Sequence, residues 1–168
     1  GPALLTGVSL DHLAGARVHP VVAYATAGLS NPATLPQELS GRADSATDTS
    51  PPPAGTINLL VGTTRSLDDG TLATMLGTVV EAKTATVQAT TGFTGTTSDA
   101  VVVASDPEGE GADFAGSATA VGAAARACVR DAVLASLDSR YADRAIPDSV
   151  AEAEHGTETN RQATTFEP

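Results

Sequence analysis

A strand, a helix and a second strand follow one another in the middle of the chain and decide the fold. Residues 56–63 read TINLLVGT, residues 68–90 read DDGTLATMLGTVVEAKTATVQAT, and residues 100–104 read AVVVA. The first and third are short apolar runs bounded by turn residues, which is typical of buried strands. The second begins with Asp68, a favoured N-cap residue, and its apolar residues recur at helical spacing. It therefore predicts a helix that ends at about Thr90.

Lys83 is the only lysine of the chain and falls within this helix. At about 100° per residue it lies near the middle of the apolar stripe, whereas Glu81 points to the opposite face. The stripe consists of Leu72, Leu76, Val79, Val80 and Val87. We therefore expect Lys83 to face inward or toward a sheet edge.

Apolar runs on both sides extend this unit. Residues 3–8 and 20–27 predict two more buried strands, joined by a connection over residues 9–19. Ser117 is a candidate N-cap for a long Ala-rich helix that reaches about Asp138. The order strand, strand, strand, helix, strand, helix predicts an α/β fold, with α+β as the alternative, in which helices pack on at least one face of a mixed sheet.

Polar segments divide the chain. Residues 28–36 carry Gly, Ser, Asn and two Pro, and predict a loop after the second strand. Residues 40–54, with three successive prolines, predict a Pro-rich surface insertion. The apolar pattern fades beyond Tyr141. We therefore expect one domain over residues 1–141 and a polar, mobile tail over residues 142–168.

Charge and composition narrow the classes of protein. The 20 acidic and 9 basic residues give a net charge of −11, which offers no basic stripe for nucleic acid and is typical of a salt-rich cytoplasm. No apolar run approaches the roughly 20 residues that span a bilayer, so no membrane contact is expected. Cys128 is the only cysteine, which excludes an intrachain disulfide, and it reads as a small core residue.

Two Thr/Gly-rich segments lie at strand boundaries, residues 55–58 (GTIN) and 94–99 (TGTTSD). Glycine lets a ligand approach the backbone closely, and the hydroxyl and amide groups offer donors and acceptors without bulk. The side chains and backbone that we expect to bind substrate here belong to Thr56, Asn58, Thr94, Gly95, Thr97 and Ser98. Asp99 adds the one formal charge. Since ligands bind where loops leave strand ends, these segments predict the functional site.

Five segments together resemble the adenosylcobinamide amidohydrolase family. They are residues 26–31 (TAGLSN), 55–58, 81–85 (EAKTA), 94–99 and 114–117 (FAGS), in this order over about residues 3–138. The resemblance implies hydrolysis of the aminopropanol amide of adenosylcobinamide to adenosylcobyric acid, in corrinoid salvage. It implies a corrinoid substrate and no cofactor, and it adds Ser30 and Asn31 to the substrate-binding candidates.

The chain departs from the family pattern at two points. Thr97 and Ser98 stand where the pattern has Gly-Thr. Family members also carry a further N-terminal segment before the counterpart of Ala3, so we expect this chain to be a truncated or processed form.

Amide hydrolysis requires a nucleophile, a stabilised oxyanion and an acid for the leaving amine. Asp99 is the candidate base, acting on water or on the hydroxyl of Thr96, Thr97 or Ser98. Lys83 is the candidate for oxyanion stabilisation or amine protonation, and amides around Gly95 with the Asn58 carboxamide are candidates for an oxyanion hole.

Each of these residues has a structural alternative. Asp99 would cap a turn, Lys83 would extend to solvent along the sheet, and Asn58 would satisfy buried backbone. The nucleophile, the oligomeric state and the range of cobinamides stay open.

Three other functions stand as alternatives to hydrolysis. They are a non-catalytic corrinoid-binding protein with the same loops, an interaction module using the Pro-rich stretch, and self-cleavage at the Gly55-Thr56 bond to expose a threonine nucleophile. The three histidines are too scattered to predict a metal site. Tyr24, Phe93 and Phe114 are the aromatic candidates for contact with the corrin ring.

Overall fold

The computed structural model of the chain describes residues 9–37 and 55–167, so the predicted strand at 3–8 and the predicted insertion at 40–54 lie outside the described residues. A short 3-10 helix spans Leu10–His12. The strands are β1 (Ala14–Val18), β2 (Val21–Ala27), β3 (Pro32–Thr34), β4 (Ile57–Thr63), β5 (Gly95–Thr96), β6 (Ala100–Ser105) and β7 (Thr157–Glu158), and the helices are α1 (Asp69–Thr91) and α2 (Ala120–Arg140).

The main sheet has the strand order β1-β2-β4-β6. β2 pairs antiparallel with β1 and with β4, whereas β4 pairs parallel with β6 across the α1 crossover. This arrangement confirms the predicted mixed sheet and α/β fold.

Both helices pack on one face of this sheet. Ala23 and Ala25 of β2 and Leu59 of β4 are fully buried there, and the small alanine side chains let α2 approach the strands closely. Cys128 of α2 lies in this core, as predicted, and burial raises the pKa of its thiol. Neither helix within the described residues is long and apolar enough to cross a membrane.

The opposite face of the sheet, which we call the outer face, carries the alternate residues. By strand register these form successive rungs, namely Val22, Gly62 and Ala104, then Tyr24, Leu60 and Val102, then Thr26, Asn58 and Ala100. Tyr24 and Leu60 remain 47% and 43% exposed. The outer face is therefore not covered by either helix.

Helix α1 confirms the predicted cap and the inward lysine but corrects the predicted stripe. The Asp68 carboxylate accepts from the Thr71 amide, and Lys83 is buried. Val79 and Val87 of the predicted stripe are buried, and Leu72 packs against the core. Leu76 and Val80, however, face solvent, because the helix turns a partly different set of residues, many of them small, to the core. These are Thr71, Met75, Thr78, Val79, Ala82, Lys83, Thr86 and Val87.

Helix α2 begins later than predicted. Thr119, not Ser117, is the N-cap, since its backbone is extended and its hydroxyl accepts from the Gly122 amide at 3.0 Å. The helix continues to Arg140, two residues beyond the predicted end.

Besides β5, which lies within the predicted loop over residues 94–99, three short strands lie where loops or a tail were predicted. The connection over residues 9–19 contains β1, the loop over 28–36 contains β3, and the tail contains β7. All three consist mainly of small or polar residues, so the sequence contains no apolar run that would predict them. Their extended form depends on pairing with other strands. Within the tail, Ile146 and Val150 also pack against the core, and the mobility of this segment stays a prediction.

The short strands form a second sheet in the order β5-β3-β7. Its pairing of Pro32 with Thr96 fixes residues 28–36 against residues 94–99. The two loops that carry the sequence motifs are thereby held together at one end of the main sheet.

Candidate functional site

Three polar segments, residues 28–31, 55–58 and 94–99, converge at the amino ends of the parallel strands β4 and β6. Parallel neighbours start at the same sheet edge, so the residues that precede them meet there. The Thr56 hydroxyl donates to the Ser98 carbonyl at 2.5 Å, and the Ser98 hydroxyl donates to the Gly55 carbonyl at 3.1 Å. The two Thr/Gly-rich segments thus form one hydrogen-bonded unit, and their binding of substrate stays a prediction.

The Asp99 carboxylate is the centre of this unit. Its Oδ1 accepts from the Thr96 hydroxyl at 2.5 Å and from the Ile57 amide at 3.1 Å. The Thr96 amide lies 3.3 Å from each carboxylate oxygen. Asp99 therefore orders the 94–99 loop, as expected of a residue that caps a turn. It also holds the Thr96 hydroxyl in a charge-assisted hydrogen bond.

Lys83 forms an ion pair with Asp99 Oδ2 from the inner side of α1. The side chains are 8% and 13% exposed, so the charges lie almost entirely out of water. Such a pair is tolerated only when further hydrogen bonds satisfy it, and the donors around Asp99 meet that need. The alternative in which Lys83 extends to solvent is wrong.

Gly95 closes over the ion pair. Its φ of 156° lies outside the range that L-residues adopt easily, and a Cβ there would collide with Asp99 Oδ2 and lie 2.7 Å from Lys83 Nζ. The glycine therefore permits the backbone to lie directly on the charged groups.

The structure assigns different partners to the three candidate hydroxyl groups. Thr96 donates to Asp99, Thr97 accepts from Asn31 Nδ2 at 2.6 Å, and Ser98 donates to the Gly55 carbonyl. Of the three, only Thr96 directs its proton at a carboxylate. Thr96 is 9% exposed, and the Ser98 amide lies 3.5 Å from its Oγ1.

Asn31 and its neighbours join the loops that meet at the site. The Asn31 carbonyl accepts from the Thr97 amide at 3.2 Å, and its side chain is fully buried, with Oδ1 lacking a partner among the described residues. A Cβ at Gly55 would collide with Ser30 Oγ and Asn31 Oδ1, so only glycine fits there. The Thr94 hydroxyl donates to the Ala33 carbonyl at 2.9 Å. These residues hold the two loops in register.

Asn58 lies apart from the ion pair, on the outer face. Its Nδ2 donates to Thr26 Oγ1 at 3.0 Å, and its Oδ1 has no partner within the described part of the chain. The side chain is 4% exposed. Its hydrogen bond joins two side chains, so the alternative in which Asn58 satisfies buried backbone does not describe it.

Two residues that contact the segments of the candidate site were not predicted from the sequence. Thr26 is the partner of Asn58, and its signal was present in the segment at residues 26–31. Arg140, at the end of α2, packs on Gly28, where a Cβ would lie 3.0 Å from the arginine Nε. Nothing in the sequence links residues so far apart.

The aromatic candidates separate by location. Phe93 is buried, so it cannot offer a face to a ligand, whereas Tyr24 is exposed on the outer face. Phe114 is 74% exposed but lines a cavity beside Thr74. Thr74 lies nine residues from Lys83, about 14 Å along α1.

No group of three metal-binding side chains occurs among residues 9–37 and 55–167. His12, one of the three histidines, pairs its Nδ1 with Ser139 Oγ at 3.0 Å.

Comparison with known proteins shows the family to which the chain belongs. A family model described as adenosylcobinamide amidohydrolase matches residues 1–145. A relative named adenosylcobinamide amidohydrolase, from Halobacterium salinarum, is 58% identical over 167 residues, which cover 99% of this chain and 71% of the relative. No solved structure matches the chain. The chain belongs to the adenosylcobinamide amidohydrolase family.

Proposed function

We propose that the chain hydrolyses the amide between the corrin propionate and aminopropanol of adenosylcobinamide, giving adenosylcobyric acid for corrinoid salvage. Family membership supports the substrate and the bond. The observation that carries the chemistry is the Thr96 hydroxyl bonded to an Asp99 carboxylate that is ion-paired with Lys83. A hydroxyl paired with a base in this way is the arrangement of an activated nucleophile.

We assign the nucleophile to Thr96. Its Oγ1 attacks the amide carbonyl carbon while its proton passes to Asp99 Oδ1, which gives a tetrahedral oxyanion. Asp99 then returns the proton to the nitrogen, the C–N bond breaks, and aminopropanol leaves. Water, deprotonated by Asp99, attacks the resulting ester and releases the carboxylic acid and the threonine hydroxyl.

Lys83 supports each step through charge. Its ammonium group, buried against Asp99, compensates the negative charge of the carboxylate and holds it beside the Thr96 hydroxyl. The Ser98 amide, which lies 3.5 Å from Thr96 Oγ1, is a backbone donor beside the nucleophile, and we assign the stabilisation of the oxyanion to it. Since the chain supplies base, nucleophile and cation, we further propose that the reaction needs no resident cofactor, and that dialysis against EDTA leaves the rate unchanged.

The acidic surface supports a setting in a salt-rich cytoplasm. A net charge of −11 keeps the chain dispersed where salt screens its self-repulsion. Assays of the purified protein therefore belong in molar potassium chloride.

The test is incubation of the protein with adenosylcobinamide in molar potassium chloride, with mass detection of adenosylcobyric acid and aminopropanol. We expect product from the wild type, loss of at least about 1,000-fold in rate with Thr96→Ala, and an unchanged rate with Thr74→Ala, the same substitution at an exposed threonine of α1. Binding without product would instead support a non-catalytic corrinoid-binding protein. Full activity of Thr96→Ala would remove Thr96 as nucleophile.

A further inference from the structure

The strand β7, near the end of the chain, belongs to the same small sheet as the proposed nucleophile. Thr96 is the last residue of β5, and it pairs with Pro32 of β3. On its other edge β3 pairs parallel with β7, where Ala33 lies opposite Thr157. The strand β7 lies outside residues 1–145, the part of the chain that the family model matches. Family membership therefore assigns it no role.

Two backbone hydrogen bonds extend this pairing beyond the ends of both strands. The His155 amide donates to the Ser30 carbonyl at 3.2 Å, and the Thr159 amide donates to the Thr34 carbonyl at 3.1 Å. The segment before, within and after β7 thus follows the whole of residues 30–34, which includes part of the candidate site.

The opposite edge of residues 30–34 holds the loop of the nucleophile. The Thr94 amide donates to the Ala33 carbonyl at 2.9 Å, and the Thr97 amide donates to the Asn31 carbonyl at 3.2 Å. These two bonds lie on either side of Thr96 in the sequence. The backbone of the nucleophile is therefore held from this side by β3.

Strands as short as these depend on a third strand. β3 has three residues and β5 has two, and an isolated pair of strands is only marginally stable in water. β7 supplies the third strand from a segment that has its own anchor, since Ile146 and Val150 pack against the core. Gly156 lets the chain pass close to this anchor, because a Cβ there would lie 2.6 Å from Val150 Cγ1.

We propose that β7 positions the nucleophile, because it holds β3 and β3 holds Thr96 beside Asp99. The inference rests on the proposed function for the identity of the nucleophile. β7 acts through β3 and supplies no reacting group. Its displacement should therefore lower kcat and change KM little, since the reacting groups stay present but lose their alignment.

The first test measures hydrogen exchange of single amides by NMR in molar potassium chloride. Thr159→Pro removes the amide that donates to Thr34 and places the proline ring against β3. We expect the Thr94 and Thr97 amides to exchange at least about tenfold faster, at unchanged exchange of the α2 amides. Thr159→Ala, which keeps the amide, and Thr165→Pro, at an exposed residue beyond β7, should both exchange like the wild type.

Kinetics with adenosylcobinamide give the second test. In Thr159→Pro we expect kcat to fall about tenfold or more and KM to stay within about twofold. Should this variant not fold, Gly156→Ala displaces β7 by its contact with Val150, and Gly77→Ala is the control in an open position. A wild type that forms no product would defeat the proposed function, whereas the exchange rates would still show whether β7 holds the loop.

Three results would overturn the proposal. One is wild-type exchange of the Thr94 and Thr97 amides in folded Thr159→Pro. Another is a raised KM at unchanged kcat, since the segment would then contact the substrate instead of positioning the nucleophile. The third is exchange that rises as much in α2 as in the 94–99 loop, since β7 would then serve the stability of the whole fold.

Discussion

Replacing Lys83 with methionine should destabilise the fold far more than removing an exposed ion pair. Methionine keeps the unbranched stem but leaves the Asp99 carboxylate, only 13% exposed, without its cation. Loss of one partner from a buried pair costs about 3–5 kcal/mol. Asp99 retains donors from Ile57 and Thr96, which places the expected loss near the lower limit, at about 3 kcal/mol.

Urea unfolding in molar potassium chloride measures this loss. With a slope of about 2 kcal/mol per molar urea, the midpoint should fall by about 1.5 M. The double variant Lys83→Met/Asp99→Asn removes the orphaned charge and should recover at least half of the loss. Salt should change these differences little, because buried charges are poorly screened.

Glu81→Gln is the matched control on the same helix. Glu81 pairs with Arg126 at 2.6 Å, but its side chain is 63% exposed, so its loss should cost about 0–1 kcal/mol. If the urea midpoint of Lys83→Met is equal to or higher than that of Glu81→Gln, the claim that Lys83 and Asp99 form a buried pair whose members depend on each other is refuted.

Three further changes test local features of the fold and site. Gly95→Ala should lower the hydrolysis rate at least about 100-fold by displacing the ion pair beneath it, whereas Gly77→Ala, in an open helical position, should keep full activity. Thr119→Ala should lower the free energy of unfolding by about 1 kcal/mol through loss of the α2 cap; an equal effect of Ser117→Ala would contradict this cap. The backbone amide of Thr71 donates to the Asp68 carboxylate and is the main cause that lowers the pKa of Asp68 in the folded state. The charge of Asp68 therefore stabilises the fold above pH 3.8, and this contribution is lost as pH falls through the lower folded pKa. The wild type should therefore lose stability relative to Asp68→Asn on acidification in urea titrations, and a constant difference between the two would exclude this linkage.

The sequence predicts the central unit of the fold because each signal there is local. The strands β2, β4 and β6 are apolar runs, and α1 carries both an N-cap residue and a C-terminal glycine. Such features depend on neighbouring residues alone, so they are legible without the tertiary structure.

The strands β1, β3 and β7 were missed for the opposite reason. The residues of β1, AGARV, gain their extended form from pairing with β2, and β3 gains its form from β5 and β7. Tertiary pairing overrides weak propensity in each. The buried stripe of α1 was predicted only in part: Val79 and Val87 are buried, but close packing on the sheet favours threonine and alanine residues over Leu76 and Val80.

The sequence indicates which residues meet at the candidate site, but it does not indicate which of them form hydrogen bonds with one another. Helical periodicity turns Lys83 inward, and the motif order places Asp99 at a strand boundary. Nothing local, however, distinguishes the hydroxyl of Thr96 from those of Thr97 and Ser98. Their different partners arise from Asn31 and Gly55, which lie 40 or more residues away in sequence.

The rate of adenosylcobyric acid formation by Asp99→Asn tests the central claim most directly. Asparagine preserves the size of the side chain and one acceptor oxygen but removes the base that receives the Thr96 proton. With the variant shown to be folded by circular dichroism and thermal unfolding, we predict a kcat at least about 100-fold below that of the wild type. A folded Asp99→Asn variant that forms product at the wild-type rate would contradict the account.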